Sequence, residues 1–350
     1  MGDNRFFGEQ GVDVFTVTNH APLGSAGSML IDGGSERNRL TVNGYQNLSN
    51  VVTVTNSRIS GMSAVPIDYV ASGSFSIANG FGGITLNGSD NQNDSFDVTS
   101  FLPQHTLQMN GFGGNDRFTV REPALGGISA DGGEGSDLYQ FAVGSTNNRF
   151  LFALDTGVVG SDRLVATFTE NSDNVTLSGT SFAVDTDNVQ INENLESMVI
   201  NSRGGDDTIN LNRVPVGFVR LITGDGNDTV NINNFTGTNS MLVNLGDGDD
   251  DLSIVAGTAS GAITALGGNG DDTFVTGRAA YSNVVIDGQE GSDEYDIFIL
   301  DRSDRFAVAR DSGTTGTDQL RVHGTVLDDN LVLRSGIVIT PHQDLSLIHI

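Results

Sequence analysis

A turn motif returns along this chain about every 22 residues. It reads glycine, two residues, glycine, one residue, aspartate, one residue, apolar residue. Gly267-Gly268-Asn269-Gly270-Asp271-Asp272-Thr273-Phe274 and Gly132-Gly133-Glu134-Gly135-Ser136-Asp137-Leu138-Tyr139 carry it in full. One turn and two short strands have too few apolar residues to form a core alone. Stacked in register, such units bury a continuous core and hydrogen-bond each strand to the rung above and below.

The motif aspartates are Asp94, Asp116, Asp137, Asp162, Asp207, Asp228, Asp250, Asp272, Asp293 and Asp318. One double-length gap, from Asp162 to Asp207, holds the diverged stretch Asn171-Ser172-Asp173-Asn174-Val175-Thr176-Leu177. A longer repeat overlies the short one. Shifting the chain by 156 residues maps Asp116 on Asp272, Phe118 on Phe274, Asp137 on Asp293, Tyr139 on Tyr295, Arg149-Phe150 on Arg305-Phe306 and Asp162 on Asp318. So many identities in one register indicate an internal duplication, 84–177 repeated as 240–333. The layout this predicts is degenerate rungs over 1–83, regular repeats over 84–333, and a cap or fragment end over 334–350.

No helix-period apolar run exceeds two turns. Short alternating segments such as Phe118-Thr119-Val120 and Val230-Asn231-Ile232 are flanked by Gly, Asn or Asp, as strands and turns are. The expected fold is all-β, a parallel β-helix or β-solenoid of about 22 residues per rung and roughly sixteen rungs. The alternative is a β-sandwich built from the same segments. Residues two and four after each aspartate should point inward.

In a stack, equivalent turns lie above one another, so the motif aspartates would sit about 5 Å apart. Like charges at that distance repel by roughly 3 kcal/mol at an effective dielectric of 20. The run Asp206, Asp207, Asp225, Asp228, Asp247, Asp249, Asp250, Asp271, Asp272 repeats this with Arg203 as its one basic neighbour. A hard cation with oxygen ligands removes the penalty, and calcium accepts six to eight carboxylate and carbonyl oxygens. The competing account is that the Asp and Asn side chains close turns and form a hydrogen-bonded ladder without metal.

The turn resembles the repeat of the RTX, or haemolysin-type calcium-binding, proteins. That resemblance implies Ca²⁺ held between successive turns by the aspartates and turn carbonyls, and type I or other signal-peptide-independent export. The candidate metal ligands are Asp116, Asp137, Asp207, Asp225, Asp228, Asp247, Asp250, Asp271, Asp272 and Asp293. RTX repeats recur every nine residues, on both sides of the roll. Here the motif comes once per rung, as in degenerate RTX-like repeats of large bacterial surface and secreted proteins.

The formal charge of −27 comes from 44 acids against 17 basic residues, all arginine. Such a surface disfavours nucleic acid and anionic membranes. The absence of cysteine excludes disulfides and thiolate metal sites. There is no apolar stretch long enough for a membrane-spanning helix, and Met1–Arg5 does not begin a secretory signal. The five histidines are scattered, with no His-Glu-x-x-His, and lysine is absent, so neither a zinc-protease motif nor a P-loop is present.

The expected function is non-enzymatic: a calcium-binding structural or adhesive region of a longer extracellular or cell-surface protein. Its partners would be calcium ions and a surface or matrix polymer. The alternatives are a β-helical carbohydrate-active enzyme or its accessory module, and a metal-free structural repeat. Asp296, Asp301, Arg302, Asp304 and Arg305 form the densest mixed-charge cluster for the enzyme alternative.

Overall fold

The computed structural model describes the chain outside residues 1–3, 19–26, 35, 71–82, 104, 123, 145–147, 193, 215, 236–238, 258–260, 281–282, 299–305, 325–331, 335–336, 340–343 and 349–350. Its regular structure is all strand, stacked mainly in parallel as a β-solenoid of about 12 turns with successive turns about 23 residues apart. A strict 22-residue period would allow roughly sixteen rungs. Antiparallel excursions account for part of the difference. Val51–Val54 folds back on Arg58–Ser60, and Asn174–Ser178 on Ser181–Val184.

Two compact units divide the chain: Met1–Ala166 with Thr186–Glu196, and Thr167–Asp185 with Ser197–Ile350. The division falls in the double-length gap between Asp162 and Asp207. In the first unit, Val14–Thr18, Arg39–Asn43, Ile84–Asn87, Thr106–Asn110, Gly127–Asp131, Phe150–Leu154 and Asp187–Ile191 pair in parallel, each with the next. A second face stacks Val51–Val54, Ser95–Val98, Arg117–Val120 and Leu138–Ala142.

The second unit repeats the plan. Asn174–Ser178, Thr208–Arg213, Thr229–Ile232, Asp251–Gly257, Thr273–Ala280, Glu294–Phe298 and Gln319–His323 form one face. Ser197–Asn201, Phe218–Asp225, Ser240–Asp247, Ala262–Asn269, Asn283–Glu290, Phe306–Arg310 and Asp344–Ile348 form the other. Within the predicted terminal segment, Asp344–Ile348 therefore adds one more parallel strand.

Strand alternation puts the second and fourth residues after each aspartate inside. Val230, Ile232, Phe118, Phe274, Tyr139 and Tyr295 are all fully buried. Register then stacks like on like. Phe96, Phe118 and Tyr139 lie 5.2 and 5.3 Å apart with planes 2° and 12° from parallel, and Phe274 lies 5.3 Å from Tyr295. These spacings are close to the distance between hydrogen-bonded strands, so each ring sits on the ring of the neighbouring rung.

One buried cation lies away from the acidic corner. Arg149 is 1% exposed, and its Nη2 lies 2.6 Å from Asp187 Oδ2. It also donates to the carbonyl of Ala142. Asp187 accepts the main-chain N–H of Arg149 as well. The pair ties the loop before Phe150–Leu154 to the start of Asp187–Ile191.

The glycine two residues before the aspartate, present in every motif copy except that of Asp94, which carries Gln92, has a steric reason. Gly135, Gly248, Gly270 and Gly291 have φ of 141°, 141°, 125° and 136°. A Cβ on Gly270 would stand 2.1 Å from the carbonyl oxygen of Gly248 one rung below, and a Cβ on Gly291 would stand 1.8 Å from that of Gly270. Both the left-handed backbone and the close stacking of turns exclude a side chain. Gly270→Ala is therefore expected to cost about 2–4 kcal/mol, read as a lower urea midpoint at unchanged slope. A loss under about 0.5 kcal/mol would contradict the stacked-turn geometry.

Candidate metal centre at the acidic corner

Every strand that follows a motif turn begins with a main-chain N–H that needs an acceptor. The aspartate of the next rung supplies it. In the first unit Asp94 N–H donates to Asp116 Oδ1, Asp116 to Asp137 and Asp137 to Asp162, at 2.6–2.7 Å. In the second unit the series runs Asp173, Asp207, Asp228, Asp250, Asp272, Asp293, Asp318, with each N–H donating to the next Oδ1 at 2.8–3.1 Å. Glu196 takes the place of an aspartate above Asp162. Asn38 fills the same role for Asp13, and Asp94 accepts from Asn50.

The other carboxylate oxygen faces inward. Oδ2 of Asp116, Asp137, Asp207, Asp228, Asp250, Asp272 and Asp293 is buried and has no hydrogen-bond partner. In several rungs it lies over a glycine five residues earlier. It stands 2.1 Å or less from where a Cβ of Gly111, Gly132, Gly267 or Gly288 would be. The first glycine of the motif thus makes room for the carboxylate.

Burial raises these acids. It pushes Asp116 and Asp272 up to about 8, Asp250 to about 7, and Asp137, Asp207 and Asp293 to about 6. The N–H from the preceding rung pulls each back, and neighbouring carboxylates add to the rise.

A second column runs outside the first. The residue before each ladder aspartate accepts, through its side chain, the N–H of its counterpart one rung later. Asn227 N–H donates to Asp206, Asp249 to Asn227, Asp271 to Asp249 and Ser292 to Asp271, at 2.7–3.0 Å. In the first unit, Asn115 donates to Asn93, Ser136 to Asn115 and Ser161 to Ser136. The motif leaves this position undefined, yet it holds Asn, Asp, Ser or Thr in these rungs, a signal open to a reading of the sequence that asked for short acceptors.

The ten predicted ligands therefore divide. Asp116, Asp137, Asp207, Asp228, Asp250, Asp272 and Asp293 form the buried ladders, each 1–2% exposed. Asp225, Asp247 and Asp271 are exposed. Asp225 lies in register beside Asp247, and Asp247 beside Asn269, whose amide donates to Asp247 Oδ1 at 2.7 Å. The donor set is oxygen only, which suits a hard cation. The ladder carboxylates have one oxygen committed to the main chain and the other against the turn. The exposed carboxylates are the open ones.

Of the mixed-charge cluster named for the enzyme alternative, Asp301, Arg302, Asp304 and Arg305 lie outside the described residues. Asp296 lies 3.3 Å from His323 Nε2, which stacks on Phe298. A shallow cleft of about 310 Å³ lies among Phe112, Asp131, Glu134 and Thr156. Its Asp131 already accepts from the N–H and hydroxyl of Thr156.

The ladder fixes how the metal-free protein responds to pH. A carboxyl whose native pKa lies above its unfolded value holds its proton more tightly when folded. Its contribution is full below about pH 4 and is lost as pH rises through 6–8. Asn38 shows what the protonated acid can do, because its Nδ2 donates to the carbonyl of Glu36 at 2.9 Å. Stability in EDTA should fall between pH 5 and 8 by about 1.4 kcal/mol per pH unit for each proton released. Asp272→Asn should reduce that slope and stabilise the metal-free protein at pH 8 by about 1 kcal/mol. Urea titrations across pH check both, and an unchanged slope in the variant would contradict the buried acid. The sequence matches no protein-family model, and no curated protein is similar to it.

Proposed function

We propose that this chain is a non-enzymatic structural repeat region of an extracellular or cell-surface protein, stabilised by calcium at its acidic corner. The observation that carries the reading is the column of buried carboxylate oxygens without partners, flanked by exposed carboxylates on the same turns. Burial disfavours the charged form of each ladder acid, and a nearby cation favours it. Asp225, Asp247, Asp249 and Asp271 offer accessible ligands, and the buried column adds the charge that the ion offsets. Extracellular repeat modules of this chemistry bind in the range of about 10⁻⁴–10⁻³ M, so occupancy and an extracellular place go together.

The metal-free ladder is the second reading, and Asn38 and Asn50 favour it. Both sit at ladder positions, and each uses its amide to donate to turn carbonyls. One experiment separates the two. With calcium near 100-fold above its Kd, the melting temperature should rise by about 5–10 °C, and EGTA should reverse the rise. A melting temperature unmoved by both calcium and EGTA would leave the hydrogen-bonded ladder as the function of the corner.

A further inference from the structure

The loop that follows Leu154 does not belong to the ordinary rung. It lengthens the aspartate spacing to 25 residues and reads Asp-x-Gly-x-x-Gly-x-Asp. The sequence is Asp155-Thr156-Gly157-Val158-Val159-Gly160-Ser161-Asp162, and the duplication repeats it as Asp311-Ser312-Gly313-Thr314-Thr315-Gly316-Thr317-Asp318. Asp155 and Asp311 have no counterpart in the repeat motif.

The fold turns this extra acid inward. Gly157 N–H donates to Asp155 Oδ1, which closes a tight turn, and Gly313 N–H does the same for Asp311. Thr156 N–H is held by Asp131, and Ser312 N–H by Asp287. Asn194 donates to the carbonyls of Asp155 and Gly157. The result is a cluster of three carboxylates. Asp137, Asp155 and Asp162 are 2%, 2% and 3% exposed. Each offers an oxygen within 4.8 Å of those of the other two, the only such trio of acids among the described residues.

Two unpartnered oxygens accompany it. Asp137 Oδ2 is buried with no hydrogen-bond partner, on a side chain almost wholly enclosed. Asn192 Oδ1 is likewise buried and unpartnered, on a side chain whose amide donates to the carbonyl of Asp155. Ligands on opposite sides of a calcium ion stand about 4.6–5.2 Å apart, twice the Ca–O distance. Magnesium would need a tighter octahedral set, at about 4.2 Å across.

We propose that Asp137, Asp155 and Asp162 form a discrete calcium site built by the Asp155–Asp162 loop; Asp293, Asp311 and Asp318 hold the equivalent positions of the duplicated loop but are not gathered to the same closeness. The site shares Asp137 and Asp162 with the ladder and adds Asp155 to them. Its defining ligand, Asp155, lies outside the ladder, and its donors converge on one point instead of forming a column. The second copy is the more open, since Asp311 and Asp318 are half-buried.

Each loop has a built-in reporter. Tyr139 Oη accepts from Gly132 N–H at 2.7 Å and donates to the carbonyl of Leu154, the residue before Asp155. Tyr295 holds the same place, accepting from Gly288 N–H and donating to Arg310. The chain has five tyrosines and no tryptophan, so tyrosine-sensitised Tb³⁺ emission reads these loops directly.

The test titrates the full chain with Tb³⁺ under tyrosine excitation and competes it with Ca²⁺. Wild type should show a saturable, calcium-displaceable phase. Asp155→Asn with Asp311→Asn should weaken that phase by about tenfold or more while the circular dichroism in EDTA stays unchanged. Equal titrations of a folded double variant and wild type would overturn the site. A measurement on wild type alone guards against a variant that fails to fold. Emission lifetimes in H₂O and D₂O should indicate few bound waters, and a fully hydrated ion would overturn the proposal. If chelator still lowers the melting temperature of the double variant, the corner binds calcium whatever the fate of this site.

Discussion

The interaction on which the structure depends is the bond from one rung's aspartate N–H to the next rung's carboxylate. A parallel stack gives every strand its hydrogen bonds except at the corners, where the chain leaves one sheet and has not yet entered the next. An unsatisfied N–H at each corner would cost about 1–3 kcal/mol, repeated at each turn. Here the acceptor comes from the neighbouring rung, so the bond that satisfies the turn also sets its height and register. The aromatic stack of Phe96, Phe118 and Tyr139 follows from that register. The outer column runs with the opposite polarity, each side chain accepting from the later rung. Paired columns of opposite sense hold the corner from both sides.

This arrangement explains why aspartate serves where asparagine would also fit. A carboxylate accepts the main-chain N–H more strongly than a neutral amide oxygen does. The cost falls on the second oxygen, which is buried and lacks a donor. Asparagine avoids that cost, as Asn38 does by donating to Glu36. A column of aspartates is thus a poorer metal-free staple than a column of asparagines. That asymmetry connects the proposed calcium to the ladder: a cation near the corner turns the unfavourable charge into a favourable one.

Much of the fold was legible because it is periodic. The spacing of the aspartates located the turns, and alternation from each aspartate placed Val230, Ile232, Phe118 and Tyr295 in the core. What was not legible arises where the period breaks. Asp173 carries the first bond of the second ladder, directly before the hairpin from Asn174 to Val184. The Arg149–Asp187 pair joins residues 38 positions apart across the same break. No local pattern links them, since the contact exists only once Asp187–Ile191 has stacked on Phe150–Leu154. Position within the rung predicted which acids exist at the corner. It did not predict that Asp225, Asp247 and Asp271 would face solvent while their neighbours are buried.

The duplication carries more information than the short repeat does. A ladder position is constrained by its neighbours in every rung, so an aspartate there says little about any one site. Asp155 and Asp311 serve no rung-to-rung bond of the ladder, yet both copies retain an acid with the same glycine two residues on. Asp131 and Asp287 recur in the same way and hold the loop by the same main-chain bond. Exposed positions between them have diverged, Val158 and Val159 in one copy against Thr314 and Thr315 in the other. Stacking alone would tolerate any short turn of this length, so the retained acids mark a constraint of the loop itself: Asp155 adds a third carboxylate to the pair that the ladder bond from Asp137 to Asp162 already brings together.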